Sequence, residues 1–368
     1  MRVGLDGMLL GGHHSGVEQS IEGLIRALPQ VAPEHEFLLA CRPEYAAHSP
    51  VPTLPAPGWA HGRLLRIAYE QIGLAHALRH CDLLHAPGYV MPLNWRGPSV
   101  LTVYDVIALQ HPDLCKRSNV WHFGMMLPRS LRRATAIIVP TETVAQAVRG
   151  IAPEVGEKLR VIPLGVDERF RPAPEAEVAR VRQAHGLAEP YLLCVGNIEP
   201  KKNLAAVLEA FDAVAGELPH HLVIVGRRAW KCEAFDRALA GMAHRERVHL
   251  LGYAAGGDLA ALYTGAALLV QWSLVEGMGL PPLEAMACGT PTLVSDGGAL
   301  PEVAGPAAQV VPLGSPQRLA EGLLHVLRDD ARLAQLRAAG LRHAAQYTWE
   351  RHARAVAALY EEVLHAQS

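Results

Sequence analysis

The sequence predicts an α/β protein made of two Rossmann-like, doubly wound parallel-sheet domains. Its 368 residues exceed one ordinary core and fit two domains, since a domain usually holds about 100–200 residues. Half of the residues are hydrophobic and 19% are charged, the composition of a folded globular chain. Short apolar runs alternate with longer amphipathic stretches, and the alternation comes in two sets.

The first set of runs lies at residues 2–5, 37–41, 82–85, 99–103, 136–139 and 159–162. The second lies at 191–195, 221–225, 248–251, 267–271, 290–294 and 309–311. Near-continuous apolar runs of this length suit strands buried on both faces of a parallel sheet. The stretches between them, such as 16–28 and 204–216, read as crossover helices. Residues 163–174 place three prolines around a charged middle and form the expected linker, giving domains at 1–165 and 166–348. A last helix, from residue 349 towards the end at 368, has no strand after it. It packs either on its own domain or back on the first. Open parallel sheets bind ligands beyond the carboxyl ends of their strands, so the loops after strands are where function is expected.

Lys and Arg number 34 against 36 Asp and Glu, for a net charge of -2. That balance argues against a nucleic-acid partner, whose binders carry a clear basic excess. Lysines are scarce, at 116, 158, 201, 202 and 231, which makes the Lys201-Lys202 doublet stand out. Six cysteines, none in a CxxC pair, read as buried free thiols of a reducing compartment. The opening MRVGLDG enters a strand without a basic-then-apolar leader. No apolar run reaches the roughly 20 residues needed to span a bilayer. A cytoplasmic chain is expected, with one route to the inner face of a membrane. Residues 116–133 combine Lys116, Arg117, Arg129, Arg132 and Arg133 with Trp121, Phe123, Met125, Met126 and Leu127. Such a basic amphipathic segment can lie on anionic lipid, or it can be core packing with a solvated face.

Four clusters follow predicted strands. The first is Gly11-Gly12-His13-His14-Ser15-Gly16, where glycines and a helix start could admit an anion or simply make a turn. It is not a clean GxGxxG, which counts against a nicotinamide-dependent oxidoreductase. The second runs Gly196-Asn197-Ile198-Glu199-Pro200-Lys201-Lys202-Asn203. Lysines at a helix start oppose the helix dipole, and a bound phosphate would compensate. Arg227 and Arg228 follow the next strand, so these four cations could line one diphosphate site. The fourth places seven residues between Glu276 and Glu284, beginning with a Gly277-Met278-Gly279 turn. Inward carboxylates need partners, which sugar hydroxyls would supply, while the N–H groups of Gly277 to Leu280 can address phosphate. No Asp-x-Asp or histidine spacing suggests a metal site, and no cofactor is expected.

EGMGLPPLEAMACGTPT, residues 276–292, resembles the E-x7-E signature of family 4 glycosyltransferases, retaining nucleotide-sugar-dependent enzymes of GT-B fold. The likeness runs along nearly the whole chain. DLLHAPGYVMPL (82–93) and TVYDVIALQHPDL (102–114) resemble segments of the mannosyltransferase-like branch, and IPLGVDERFRP (162–172), GNIEPKKN (196–203) and YTWE (347–350) align in register. The resemblance implies two domains facing across a cleft, with the last helix, 349–368, crossing back to the N-terminal acceptor-side domain. It implies a nucleoside-diphosphate sugar donor, a glycan or lipid-linked acceptor, and no metal.

Position by position, Glu276 would bind hydroxyls of the transferred sugar and Glu284 those of the ribose. Lys202, beside Lys201, would neutralise the leaving diphosphate, and Gly277, Met278, Gly279 and Leu280 would line the sugar and phosphates. Gly12 and Gly16 would lie against the donor, and Asp105 would sit near the reacting sugar or acceptor. The chain departs from the pattern at Tyr104, where relatives carry His, and at Asn197, which shifts phosphate binding towards Lys202 and Arg227. If that histidine's imidazole is catalytic in relatives, a donor-binding protein with impaired turnover is the alternative.

Overall fold

A computed structural model describes residues 1–11, 15–60, 62–254 and 256–366. The chain divides into two compact units, Met1–Pro112 with Arg117–Gly165 and Thr348–Ser368, and Asp113–Lys116 with Val166–Tyr347. The first holds β1 (Arg2–Gly7), β2 (Glu36–Cys41), β3 (Thr53–Pro55), β4 (Leu83–Ala86), β5 (Ser99–Thr102), β6 (Ala136–Val139) and β7 (Leu159–Val161). These form one parallel sheet in the order β3-β2-β1-β4-β5-β6-β7. The second holds β8 (Tyr191–Val195), β9 (His221–Val225), β10 (Val248–Gly252), β11 (Leu268–Gln271), β12 (Thr292–Val294) and β13 (Gln309–Val310), ordered β10-β9-β8-β11-β12-β13, again parallel. Both are doubly wound. The order reverses between β1 and β4 and between β8 and β11, the points where such sheets open a crevice for ligands.

Each expected run is a strand. β3 is the addition: it is three residues long, ends in Pro55 and lies among prolines, so its sequence reads as loop. Proline is tolerated there because β3 is an edge strand with one hydrogen-bonding side unused. The first helix runs Gly16–Val31, three residues past the expected end, with Pro29 in its last turn. Its start is fixed by a capping box between Ser15 and Glu18. Helix Leu204–Val214 ends two residues before the expected stop and passes into the 3-10 turn Ala215–Glu217. Residues 163–174 carry no helix or strand.

Helix Trp349–His365 belongs to the first unit. Its Val356, Tyr360 and Val363 share a core with Val3 and Leu5 of β1 and with Ile21 and Leu24 of the first helix. Gly23 makes that approach possible, because a Cβ there would stand 2.2 Å from the Trp349 indole. His85, on β4, is hydrogen-bonded through Nδ1 to the Tyr360 hydroxyl at 2.6 Å and through Nε2 to the Thr102 hydroxyl at 2.8 Å. Burial holds its imidazole down at about 3, so it is neutral and structural.

Candidate active site

The second unit gathers most of the expected site residues at the carboxyl ends of its strands. β8 runs into Gly196, where a Cβ would meet Lys202 Cε at 2.9 Å. A side chain there would block the path of the lysine. Lys201 and Lys202 stand on the 3-10 turn Pro200–Lys202, set apart from helix Leu204–Val214 by Asn203 in the left-handed conformation. They are therefore not in the helix's first turn, which corrects the dipole argument. Their charge is met inside the chain. Lys202 Nζ donates to Glu276 Oε1 at 2.6 Å, and Lys201 Nζ lies 3.6 Å from Glu276 Oε2 and 3.7 Å from Glu199.

Glu276 is buried and accepts further bonds at Oε1, from Ser273 Oγ at 2.9 Å and Gln271 Nε2 at 3.1 Å. Burial alone would raise its carboxyl. The Lys202 and Lys201 charges, with bonds donated by Lys202 and Ser273, outweigh that and hold it at about 2. The backbone around it is clamped by the loop after β12. The Ala299 N–H donates to Glu276 O at 2.9 Å, and Ser295 Oγ donates to Ser273 O at 2.5 Å. Gly298, with φ +62, would bring a Cβ within 2.5 Å of Glu276 O.

Glu284 is buried on helix Leu280–Ala287, whose N-cap is Gly279 at φ +80. The Tyr263 hydroxyl donates to Glu284 Oε2 at 2.7 Å. Burial pushes this carboxyl up to about 7, against the pull of the Tyr263 bond and the Arg169 charge. Gly277 and Met278 are buried beside Glu276, and Leu280 opens the helix.

The four cations have different partners in the structure. Arg228 is taken up by Asp236, and Arg227 lies over the Tyr253 ring at 4.7 Å, while Lys201 and Lys202 converge on Glu276. Asn197 is exposed on the Gly196 turn. That turn is locked to the next strand end, since Ile198 N–H donates to Arg227 O at 2.8 Å.

In the first unit, Asp105 follows β5. Its Oδ2 accepts from the Tyr89 hydroxyl at 2.9 Å and its Oδ1 from the Ile107 N–H at 3.0 Å. Tyr104 is buried, and burial raises its hydroxyl pKa. Gly16 opens the first helix, with open space around its Cα. Gly12 lies outside the described residues.

The sequence reading passed over several neighbours of the carboxylates: Gln271, Ser273, Tyr263, Arg169 and the loop from Ser295 to Gly298. A polar residue ending an apolar strand (Gln271) and a Gly297-Gly298 pair after a strand were the available signals. It also passed over Asp6 at the carboxyl end of β1. Burial raises Asp6 to about 6, and burial plus the Asp6 charge raises Glu70 to about 8 despite its 2.6 Å bond from Arg66.

Comparison with known proteins gives this geometry a family. The description "Glycosyl transferases group 1" matches residues 176–343, and "Glycosyltransferase Family 4" matches residues 14–170. O-antigen chain mannosyltransferase B of Escherichia coli is 28% identical over 79% of this chain and 80% of its own length. A D-inositol 3-phosphate glycosyltransferase of Thermobispora bispora is 32% identical over 75% of this chain and 68% of its own. Among solved structures, HepE of Anabaena in complex with UDP and glucose superposes with a TM-score of 0.81 at 18% identity, covering 98% of this chain and 100% of that one. A sucrose-phosphate synthase of Thermosynechococcus elongatus gives a TM-score of 0.80 at 20% identity, with all of both chains covered. The chain belongs to the family 4 glycosyltransferases, enzymes of GT-B fold that act on nucleotide sugars, and it is mannosyltransferase-like.

Proposed function

We propose that the chain transfers mannose, with retention, from GDP-mannose to a hydroxyl of a glycan or lipid-linked acceptor. The observation that carries glycosyl transfer is the Lys202–Glu276 pair, fixed by Ser273 and Gln271 at the carboxyl ends of β8 and β11, and the likeness to a mannosyltransferase supports mannose. A donor replaces that pair by two complementary contacts, its diphosphate on Lys202 and Lys201 and its sugar hydroxyls on Glu276. Glu284 takes the ribose hydroxyls, and the backbone from Gly277 to Leu280 faces the sugar and phosphates. Gly196, Asn197 and Arg227 border the diphosphate, and Gly12, Gly16 and Asp105 serve from the first unit, which takes the acceptor.

In the reaction the bond from the anomeric carbon to the phosphate oxygen breaks. A bond from the acceptor oxygen forms on the same face of the sugar. The acceptor proton passes to the leaving phosphate, and nucleoside diphosphate departs. Lysine charge in a partly buried, preorganised setting stabilises the phosphate as it leaves, so no metal is required.

Residues 116–133 bring the chain to the inner face of a membrane where a lipid-linked acceptor resides. The support is exposure: helix Arg117–Arg133 leaves Trp121 69% exposed, and Leu64, on the adjoining helix Gly62–Ile72, is 80% exposed. Arg63 joins the two helices by a 3.1 Å bond to Ser118.

Purified protein screened for thermal stabilisation against GDP-mannose, UDP-glucose, UDP-N-acetylglucosamine and dTDP-rhamnose tests the donor. GDP-mannose raises the unfolding midpoint most, and the product anomer by NMR keeps the donor's configuration. A midpoint raised most by another donor, or an inverted product, removes the reading. Tyr104 favours one second reading, a donor-binding protein without turnover, which predicts stabilisation by donor and no product with any acceptor.

A further inference from the structure

We propose that Glu34, His35 and Glu361 form a binding site for one divalent transition-metal ion of the zinc class, which fastens the last helix to the rest of the first unit. Glu34 and His35 lie in the turn between the first helix and β2, and Glu361 lies on helix Trp349–His365. One ligand atom from each residue lies within 4.8 Å of the other two. His35 Nε2 is 3.4 Å from Glu34 Oε1 and 3.5 Å from Glu361 Oε1.

Two features separate this group from an ordinary surface ion pair. The His35 side chain is only 8% exposed, yet neither ring nitrogen has a hydrogen-bond partner. Buried polar nitrogens are seldom left in that state. The separations also exceed the roughly 2.7–3.2 Å of an N–H···O bond. They match a tetrahedral site, where bonds of about 2.0–2.1 Å place neighbouring ligand atoms about 3.3 Å apart. The ring is already held in place. The backbone N–H of His35 donates to Ala32 O at 3.1 Å, which fixes the turn, and the ring stands edge-on to the buried Phe37.

Charge and ligand type agree. Two carboxylates balance a 2+ ion, and an imidazole beside them selects zinc over magnesium or calcium, which take oxygen ligands. The carboxylates are 60% and 55% exposed, so the remaining position faces water. Nδ1 has no acceptor to brace the ring, and bracing of that kind is worth about 10–100-fold in affinity. Glu36 opens β2, so the site lies at the amino end of the sheet, the edge opposite its ligand-binding ends. It is independent of donor chemistry and acts on the attachment of the helix.

The test takes the whole chain, stripped of metal by a chelator, and titrates zinc chloride by calorimetry beside thermal unfolding. The wild type takes up one zinc ion here and unfolds at a higher temperature with it. Glu361→Gln and Glu34→Gln, both exposed, weaken that uptake at least tenfold and remove the thermal shift. His221 and His249 stand 2.8 Å apart in the second unit and could also attract zinc. His221→Ala is therefore the control, and it keeps both responses. Equal zinc affinity in wild type and Glu361→Gln, or a wild-type midpoint indifferent to zinc, overturns the proposal and leaves a plain histidine–carboxylate pair.

Discussion

Lys202 and Glu284 each support a prediction from a single side chain. If Lys202 takes the leaving-group charge, Lys202→Ala lowers turnover about 10²–10³-fold, as does loss of a preorganised oxyanion donor elsewhere. Steady-state rates on GDP-mannose check this, and near-wild-type activity in the variant rules the role out. Glu284 makes a prediction in the absence of donor. Its carboxyl titrates at about 7 when folded, against 4.5 for the free side chain. Between those values the folded state binds more protons than the unfolded one, so stability falls as pH rises through the window. Charging this buried group costs about 3 kcal/mol at pH 8. Glu284→Gln keeps an acceptor for Tyr263 and removes the titration. The variant therefore unfolds at a higher temperature than wild type at pH 8, and the difference vanishes near pH 4.5. Glu276 is opposite in sign. Its depressed carboxyl contributes stability above about 4.5, which is lost as pH falls towards 2.

Among the elements, the loop after β12 decides whether Glu276 can stand where it does. Gly298→Ala would set a methyl against Glu276 O at a positive φ, where a side chain is strained. We expect it to cost about 2 kcal/mol or more in stability and to depress transfer with it. Urea denaturation and rates measured on one preparation report both, and an unchanged urea midpoint refutes the clamp. This loop also marks the limit of what the sequence displays. Strand runs such as 191–195 and 221–225 are visible because burial on both faces forces unbroken apolar stretches. Glu284 is visible because a carboxylate interrupts an apolar helix, and Glu276 because it stands just before the glycine turn that starts that helix. The clamp is invisible because it is made by backbone atoms meeting across distant segments, a contact that leaves no side-chain pattern beyond Gly297-Gly298. β3 was hidden by its prolines. The Lys201-Lys202 doublet was found, but its compensation by Glu276 was not, because 74 residues separate Lys202 from that carboxylate.

Over the whole molecule the near-zero net charge conceals an uneven surface. Residues 59–133 hold 9 Lys and Arg against 4 Asp and Glu, while the chain totals -2. Trp59, Leu64, Leu65, Ile72, Trp121 and Met125 in the same stretch are exposed. Exposed apolar side chains beside arginines suit an anionic bilayer. Vesicles rich in anionic lipid should therefore float the chain at low salt, and neutral vesicles should not. Leu64→Glu combined with Trp121→Glu should abolish flotation, and undiminished flotation of that variant sinks the membrane assignment. The helix Trp349–His365 has a different consequence, one in time. It completes the core of the unit that begins at Met1, yet the whole stretch Val166–Tyr347 is translated before it. At about 5–20 residues per second, the ribosome delivers it roughly 10–40 s after β7. Until then the groove formed by Val3, Leu5, Ile21 and Leu24 has no cover. The unit that holds β1 is thus finished only after the whole of Val166–Tyr347 has been made, and a nascent chain halted before Trp349 exposes a sticky surface for chaperones or aggregation to claim.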